Sequence, residues 1–505
     1  MGIIREGLYN IANYGAVGDK KTLNTVALQG VIDACAKDGG GTVFCPPGDY
    51  VTGTIFLKDN VSLYLSPGCV IWASTDMKDA QAPIKGDSRY ITCLIGAANA
   101  SNISITGTGR IDGQGDFFWD KREPSTEDNF YNFHNERIGW GQVAQEWRLA
   151  KDRYAKLVLF TNCRHGLIEN ISLTNAPCWT VHLHGCNDMF IRGITINDNM
   201  YGPNTDGIDI DSCEHVIVSD CNIYCGDDAI VLKSTGANGV VRSCRDIAVT
   251  NCRLTTCCNA FKMGTESIGG FENITFSNSV ISNEDTSPEL KALGGIVIES
   301  TDGGHNNNIA VSNIAMLNVR APFFVFLGGR GRRPGVGGSS PEALKARDDF
   351  KPGSMKNLIF NNITAQGAVI TSSITGMPGF EIDDISFNMV NIEYRGGMPE
   401  DLSKEVVPER PKAYPETTVY GKGAAGGLYF RHVRNLSMSQ VSLRAREPDG
   451  RPVIILDDVR TADLSGIRAT RPASGQPVIR TSRCDDLFVD KCRPEISIRE
   501  VGETV

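Results

Sequence analysis

No stretch of this 505-residue chain approaches the run of about eighteen apolar residues expected of a helix that crosses a membrane. A basic excess is also missing. Fifty Lys and Arg stand against 59 Asp and Glu, and the net charge of −9 disfavours nucleic acid as the main partner, since phosphate binding needs a basic face. There are sixteen cysteines but no paired CxxC knuckles, so a zinc site has little support. The opening residues, MGIIREGLYNIANYGAVGD, lack the apolar core of a signal peptide and lead straight into fold-like sequence. The expected compartment is therefore the cytoplasm, or the periplasm or exterior if a signal was removed. Sustained helical patterns are scarce.

What is present is turn chemistry. Fifty-four glycines, with many Asn, Ser and Thr, separate short β-branched runs, and 41% hydrophobic residues suffice for a large core. The runs repeat. NCRHGLIENISLTNA from 162, GCNDMFIRGITINDN from 185, SCEHVIVSDCNIYCG from 212 and SCRDIAVTNCRLTTC from 243 stack with Cys163, Cys186, Cys213 and Cys244 in one column. The steps are 23, 27 and 31 residues, with an earlier copy at NASNISITGTGRIDG and weaker copies to the C-terminus. One unit cannot bury its apolar face alone, whereas stacked units share a continuous core. A strand-rich period of this size predicts an all-β, right-handed, single-stranded parallel β-helix with coils about 4.8 Å apart.

The whole of 1–505 reads as one such domain. Residues 22–41 form an N-terminal helical cap, with Val26, Leu28, Val31, Ile32 and Cys35 at helical spacing and Gly39–Gly41 as the stop. Segments 116–156 and 327–353 interrupt the repeat as loops near a cleft, and 390–505 read as irregular coils. The cysteine column is read as an inward ladder of small side chains, with a disulfide framework as the alternative.

Two acidic clusters, PNTDGIDIDSC (203–213) and CGDDAIVLKS (225–234), place Asp206 21 and 22 residues before Asp227 and Asp228. That is about one coil, so the clusters belong on neighbouring turns. Carboxylates gathered in this way raise one another's proton affinity, letting one act as acid while others act as bases. No EF-hand spacing supports calcium. Alternation turns Ile208 and Ile210 inward, and Asp209 and Asp211 outward as support or solvated surface. His182 and His184 share a face, and either contacts substrate or is a structural imidazole. Trp179 is core or a sugar platform.

NTDG at 204–207 followed by GDD at 226–228 resembles the signature of the polygalacturonases, the family 28 glycoside hydrolases. NYGAVGD, ITGTGRIDGQG and APCWTVHLHGC agree with it, over roughly residues 9–320. The resemblance implies a parallel β-helix and an inverting hydrolase of α-linked, galacturonate-containing pectic chains, needing neither metal nor cofactor and no membrane partner. A 116–156 insertion that closes one end of the cleft, and a cytoplasmic enzyme fed by imported oligosaccharides, favour exo action on short chains. The resemblance implies Asp227 as general acid, Asp206 and Asp228 as the groups that hold and deprotonate water, and Asn204 as a group that orients the site or binds sugar. Of the two histidines on one strand face, His184 is the candidate substrate contact if that face is the cleft. Two family motifs are missing: TTCCNAF stands where Gly-His-Gly is expected, and Val297-Ile298-Glu299 where Arg-Ile-Lys is expected. Lys262 with Glu266, and Arg330, Arg332 and Arg333, are the candidate replacements for the lost cations, and His305 for the lost histidine. Glu299 would repel a uronate but accept hydroxyls of a neutral sugar. A rhamnogalacturonan-type or neutral-sugar α-glycosidase, or a non-catalytic carbohydrate-binding β-helix, are the rival readings. Oligomeric state is not legible.

Overall fold

The computed structural model describes residues 7–84, 92–121, 148–236, 241–283, 290–333, 345, 349–404, 406–494 and 497–500. Most of the two expected loops, 122–147 and 334–348 apart from residue 345, lies outside them. The chain is a right-handed parallel β-helix with a short N-terminal helix, and it divides into two compact units. The first comprises Met1–Pro124, Ala144–Val231 and Ile247–Thr256, and the second Ser125–Val143, Leu232–Asp246 and Cys257–Val505.

Helix α1, Thr25–Lys37, caps the first unit. Leu28, Val31, Ile32 and Cys35 are buried in it, whereas Val26 is 88% exposed. The buried four follow the i, i+3, i+4, i+7 spacing of one helical face, and Val26 sits two residues before the first of them, on the far side. Behind the helix, parallel strands stack coil upon coil. Three of them carry the site: β1 (Lys156–Thr161), β2 (Trp179–His184) and β3 (Ile208–Asp211). Strand β2 pairs with β1 on one side and β3 on the other. Cys163, Cys186 and Cys213 are fully buried, and the Cys213 Sγ accepts from the Cys186 N–H at 3.2 Å. All sixteen cysteines are thiols, which resolves the column as packing and not a disulfide framework. Part of the 116–156 interruption is an antiparallel ribbon that pairs Trp119–Lys121 with Arg148–Ala150.

In the second unit β4 (Asn259–Ser267), β5 (Ala292–Ser300), β6 (Val319–Leu327), β7 (Ser372–Thr375) and β8 (Leu428–Ser439) form consecutive layers of one parallel face. Turns between faces are made by asparagines with positive φ, a conformation Asn tolerates better than other side chains. They stack as amide ladders: Asn308 donates to Asn273 at 2.8 Å, Asn313 to Asn278 at 2.9 Å, and Asn362 to Asn313 at 2.9 Å. The C-terminal coils repeat only weakly in sequence yet are regular, with Leu428–Ser439 in parallel register with Ile454–Ser465. Their spacing is carried by backbone pairing, which leaves side chains freer to vary.

Candidate active site

The local backbone brings the acidic clusters of the first unit together. Thr180 and Val181 of β2 donate to the carbonyls of Asp206 and Gly207 at 2.8 and 3.0 Å. Gly207 and Ile208 donate in turn to Asp228 and Ala229 at 2.9 and 3.0 Å. Asp206 and the Asp227–Asp228 pair therefore occupy neighbouring coils. Both motif glycines are there because backbone approaches closely: a Cβ on Gly207 would meet the Ala229 carbonyl at 2.4 Å, and one on Gly226 the Met200 carbonyl at 2.7 Å.

Asp206 and Asp228 are each 3% exposed and Asp227 9%. The Asp227 Oδ1 accepts from the Asp228 N–H at 2.9 Å and its Oδ2 from the Asn204 Nδ2 at 3.4 Å. Carboxylate oxygens of Asp227 and Asp228 approach within 4.8 Å. Asn204 is exposed, with φ +55°, and its Oδ1 accepts from the Arg153 Nη2 at 3.0 Å. Arg153 also donates to the carbonyls of Pro177 and Pro203, which fixes the turn that presents Asn204. Arg153 escapes a motif reading because it lies in the segment that breaks the repeat.

The outward aspartates are not solvated. Asp209 and Asp211 are 0% and 2% exposed. Facing away from the coil interior here means facing the histidines of the preceding coil: Asp209 is in register with His182 and Asp211 with His184. His182 and His184 are buried, stacked with ring centroids 5.5 Å apart, and the His182 Nε2 lies 3.8 Å from the Asp211 Oδ2.

Asp198, which no motif marks, is 3% exposed and accepts from the Ala176 N–H at 2.7 Å and the Thr180 hydroxyl at 2.6 Å. Burial, reinforced by the charge of Asp112, raises its pKa to about 7 against those two hydrogen bonds. The sign follows from proton counting. Between about pH 4 and 7 the folded state holds a proton that the unfolded state has lost, so stability falls as pH rises through that window. Asp198→Asn keeps an acceptor for the Ala176 N–H and turns its amide NH2 toward the Thr180 oxygen, whose hydroxyl can rotate to accept, without the charge. Its melting temperature should match wild type at pH 4 and exceed it increasingly up to pH 7–8. A pH-independent difference would count against this origin.

The candidates of the second unit are differently placed. Lys262 is 3% exposed and in register with Val297, which is in register with Phe324. Val297 belongs to an apolar cluster with Phe324, Phe326 and Val419. Glu299 is 0% exposed, in register with Phe326. The expected confrontation between Glu299 and a substrate carboxylate is replaced by burial. Arg330 does not extend outward: it is 5% exposed, its Nε and Nη2 fork onto Asp302 at 3.0 and 2.5 Å, and it donates to the Thr265 hydroxyl and carbonyl at 3.0 and 2.8 Å. Glu266 is held by Arg332 at 3.0 Å and Lys233 at 3.8 Å. Burial alone would raise its pKa, but Lys233, Arg330 and Arg332 outweigh it and hold the carboxyl at about 2. His305 is the exposed first residue of the strand His305–Leu317, in register with Ser354, whose hydroxyl lies 2.9 Å from its Nδ1.

Residues 75–327 match the family described as Glycosyl hydrolases family 28. The chain belongs to that family. It is therefore a glycosidase. At 25% identity over 400 residues it is similar to a probable polygalacturonase of Vitis vinifera, covering 76% of this chain and 74% of the relative. It is also 25% identical over 428 residues to an exo-poly-alpha-D-galacturonosidase of Dickeya chrysanthemi, covering 78% and 68%. The fold matches the crystal structure of an exopolygalacturonase from Thermotoga maritima, with a TM-score of 0.60 at 24% identity over 77% of this chain and 87% of the other.

Proposed function

We propose that this family 28 glycosidase is a polygalacturonase-type pectinase that hydrolyses α-linked, galacturonate-containing oligosaccharides with inversion and in exo fashion. The observation that carries the chemistry is the placement of Asp206 on the coil next to Asp227 and Asp228, with Asn204 on Asp227. Asp227 protonates the leaving glycosidic oxygen as the bond to the anomeric carbon breaks. Asp206 and Asp228 hold a water on the opposite face of the sugar and take its proton as its oxygen attacks that carbon. Burial of all three keeps the charges poorly screened, which strengthens their action on an oxocarbenium-like transition state.

Exo action is supported by the name of the Dickeya relative, although an endo-polygalacturonase of Pectobacterium carotovorum is also similar, at 22% identity over 60% of this chain. Within the second unit, the segment 406–424 covers the face of β5 to β8: Val419 packs on Val297, Phe324 and Phe326, the Pro411 carbonyl accepts from Gly329 at 2.6 Å, and Arg431 holds the carbonyls of Val407 and Pro408. The rival reading, a rhamnogalacturonan-type or neutral-sugar α-glycosidase, is favoured by one observation. Val297 and Glu299 are buried and offer no cation where the family pattern expects two.

The test is a panel of defined pectic oligosaccharides with products followed by NMR. The expected result is release of terminal galacturonate whose new reducing end first appears as the β-anomer. Internal cleavage of long polymer would remove the exo assignment, and turnover of neutral-sugar substrates alone would favour the rival.

A further inference from the structure

Beside the Arg330–Asp302 pair, the second unit holds an arginine whose donors are only partly engaged. Arg332 is 6% exposed, and its backbone N–H donates to the Asp302 Oδ1 at 2.9 Å. Gly331, with φ +69°, donates to the Thr301 carbonyl at 2.9 Å, and the turn it makes lets Arg330 and Arg332 both reach Asp302. The two side chains then differ. Arg330 engages Nε, Nη1 and Nη2 on Asp302 and Thr265. Arg332 donates from Nη1 to the Glu266 Oε1 at 3.0 Å, while its Nε, on the opposite edge of the guanidinium, is buried and meets no acceptor among the described residues. Buried donors are almost always paired, so an exception of this kind calls for a cause.

The Nε and Nη2 hydrogens of an arginine point the same way along that edge, a fork that matches the two oxygens of a carboxylate. The surroundings favour a negative charge as well. Burial works to raise the Glu266 pKa, yet Lys233, Arg330 and Arg332 together hold it at about 2. Asp302, the other acid of the cluster, is taken up by the Arg330 fork and the Arg332 backbone. The ion pair to Glu266 fixes one side of the Arg332 guanidinium and leaves the forked edge facing away from it.

We propose that the Nε–Nη2 edge of Arg332 is a uronate subsite, receiving the carboxylate of one galacturonate of the substrate through two parallel N–H···O bonds. This subsite rests on the hydrolytic reading above and adds to it the residue that reads the acid. It supplies carboxylate recognition where Val297 and Glu299 provide none. It also separates Arg332 from Arg330, whose donors are engaged within the protein.

The experiment compares wild type, Arg332→Lys and Arg332→Met on trigalacturonate and on its methyl ester. Arg332→Lys keeps a cation beside Glu266 but has no fork. It should keep the wild-type urea midpoint and raise KM for the acid about tenfold with kcat little changed, because the lost contact exists before the transition state. Arg332→Met should raise the acid's KM at least as much, and KM for the ester should stay unchanged in both variants. Arg332→Gln replaces the Met variant if the latter does not fold. Equal KM changes on acid and ester, or none, would overturn the subsite and leave Arg332 a structural residue. If wild type cleaves neither substrate, the hydrolytic reading fails separately. Calorimetry with galacturonate then decides the subsite: about tenfold weaker binding to Arg332→Lys than to wild type upholds it, and equal or absent binding overturns it.

Discussion

Asp227→Asn should fold as wild type and lose about 10³-fold in kcat on oligogalacturonate, within the range found for removal of a general acid. The fold survives because the amide can keep accepting from the Asp228 N–H through its oxygen, while the long bond to the exposed Asn204 is given up and Asn204 stays on Arg153. Asp206→Asn and Asp228→Asn should cost a similar factor for a different reason: the water loses its base. A nitrophenyl α-galacturonide separates the roles. Its leaving group departs without a proton, so Asp227→Asn should recover most of its activity on that substrate, whereas the other two variants should remain as impaired as on the oligosaccharide. If all three were impaired equally on both substrates, the division into acid and bases would be wrong. If wild type turned over no substrate at all, the protein would be a binding module that retains the acids.

The contrast between these acids and their neighbours shows how far the sequence can be read. Asp206, Asp227 and Asp228 are legible because coil period converts sequence distance into spatial adjacency, and Gly207 and Gly226 mark where backbones meet. The cysteine column is legible for the same reason. Asp209 and Asp211 are not, because alternation gives the direction of a side chain and not what covers it; here the covering groups are histidines of the preceding coil. Val297 and Glu299 are a similar case. Their departure from the family pattern is visible in sequence, but what covers Val297 is not: Val419, more than a hundred residues later, packs on it. Asp198 carries no motif at all. Its raised pKa comes from burial, which only the assembled coils supply.

Arg330→Met should reduce stability more than it changes substrate binding. Its side chain is a candidate uronate ligand in sequence, set in a glycine-rich loop with Arg332 and Arg333 nearby. In the structure its Nε, Nη1 and Nη2 all donate to protein acceptors, two of them to Asp302, which is 0% exposed. Removing the guanidinium leaves a buried carboxylate facing a methionine, a change that costs about 3–5 kcal/mol in comparable buried pairs. Arg332 softens this only slightly: its backbone N–H, at 2.9 Å from the Asp302 Oδ1, carries no net charge. The urea midpoint should fall clearly for Arg330→Met and for Asp302→Asn, and the double variant should lose much less than the sum, because the second change removes the charge that the first one stranded. A substrate ligand would behave in the opposite way, with KM raised on the free acid, an unchanged urea midpoint, and no coupling to Asp302. The non-additivity decides between the two, since a protein of two compact units need not unfold in one step and the midpoints alone do not define a single free energy.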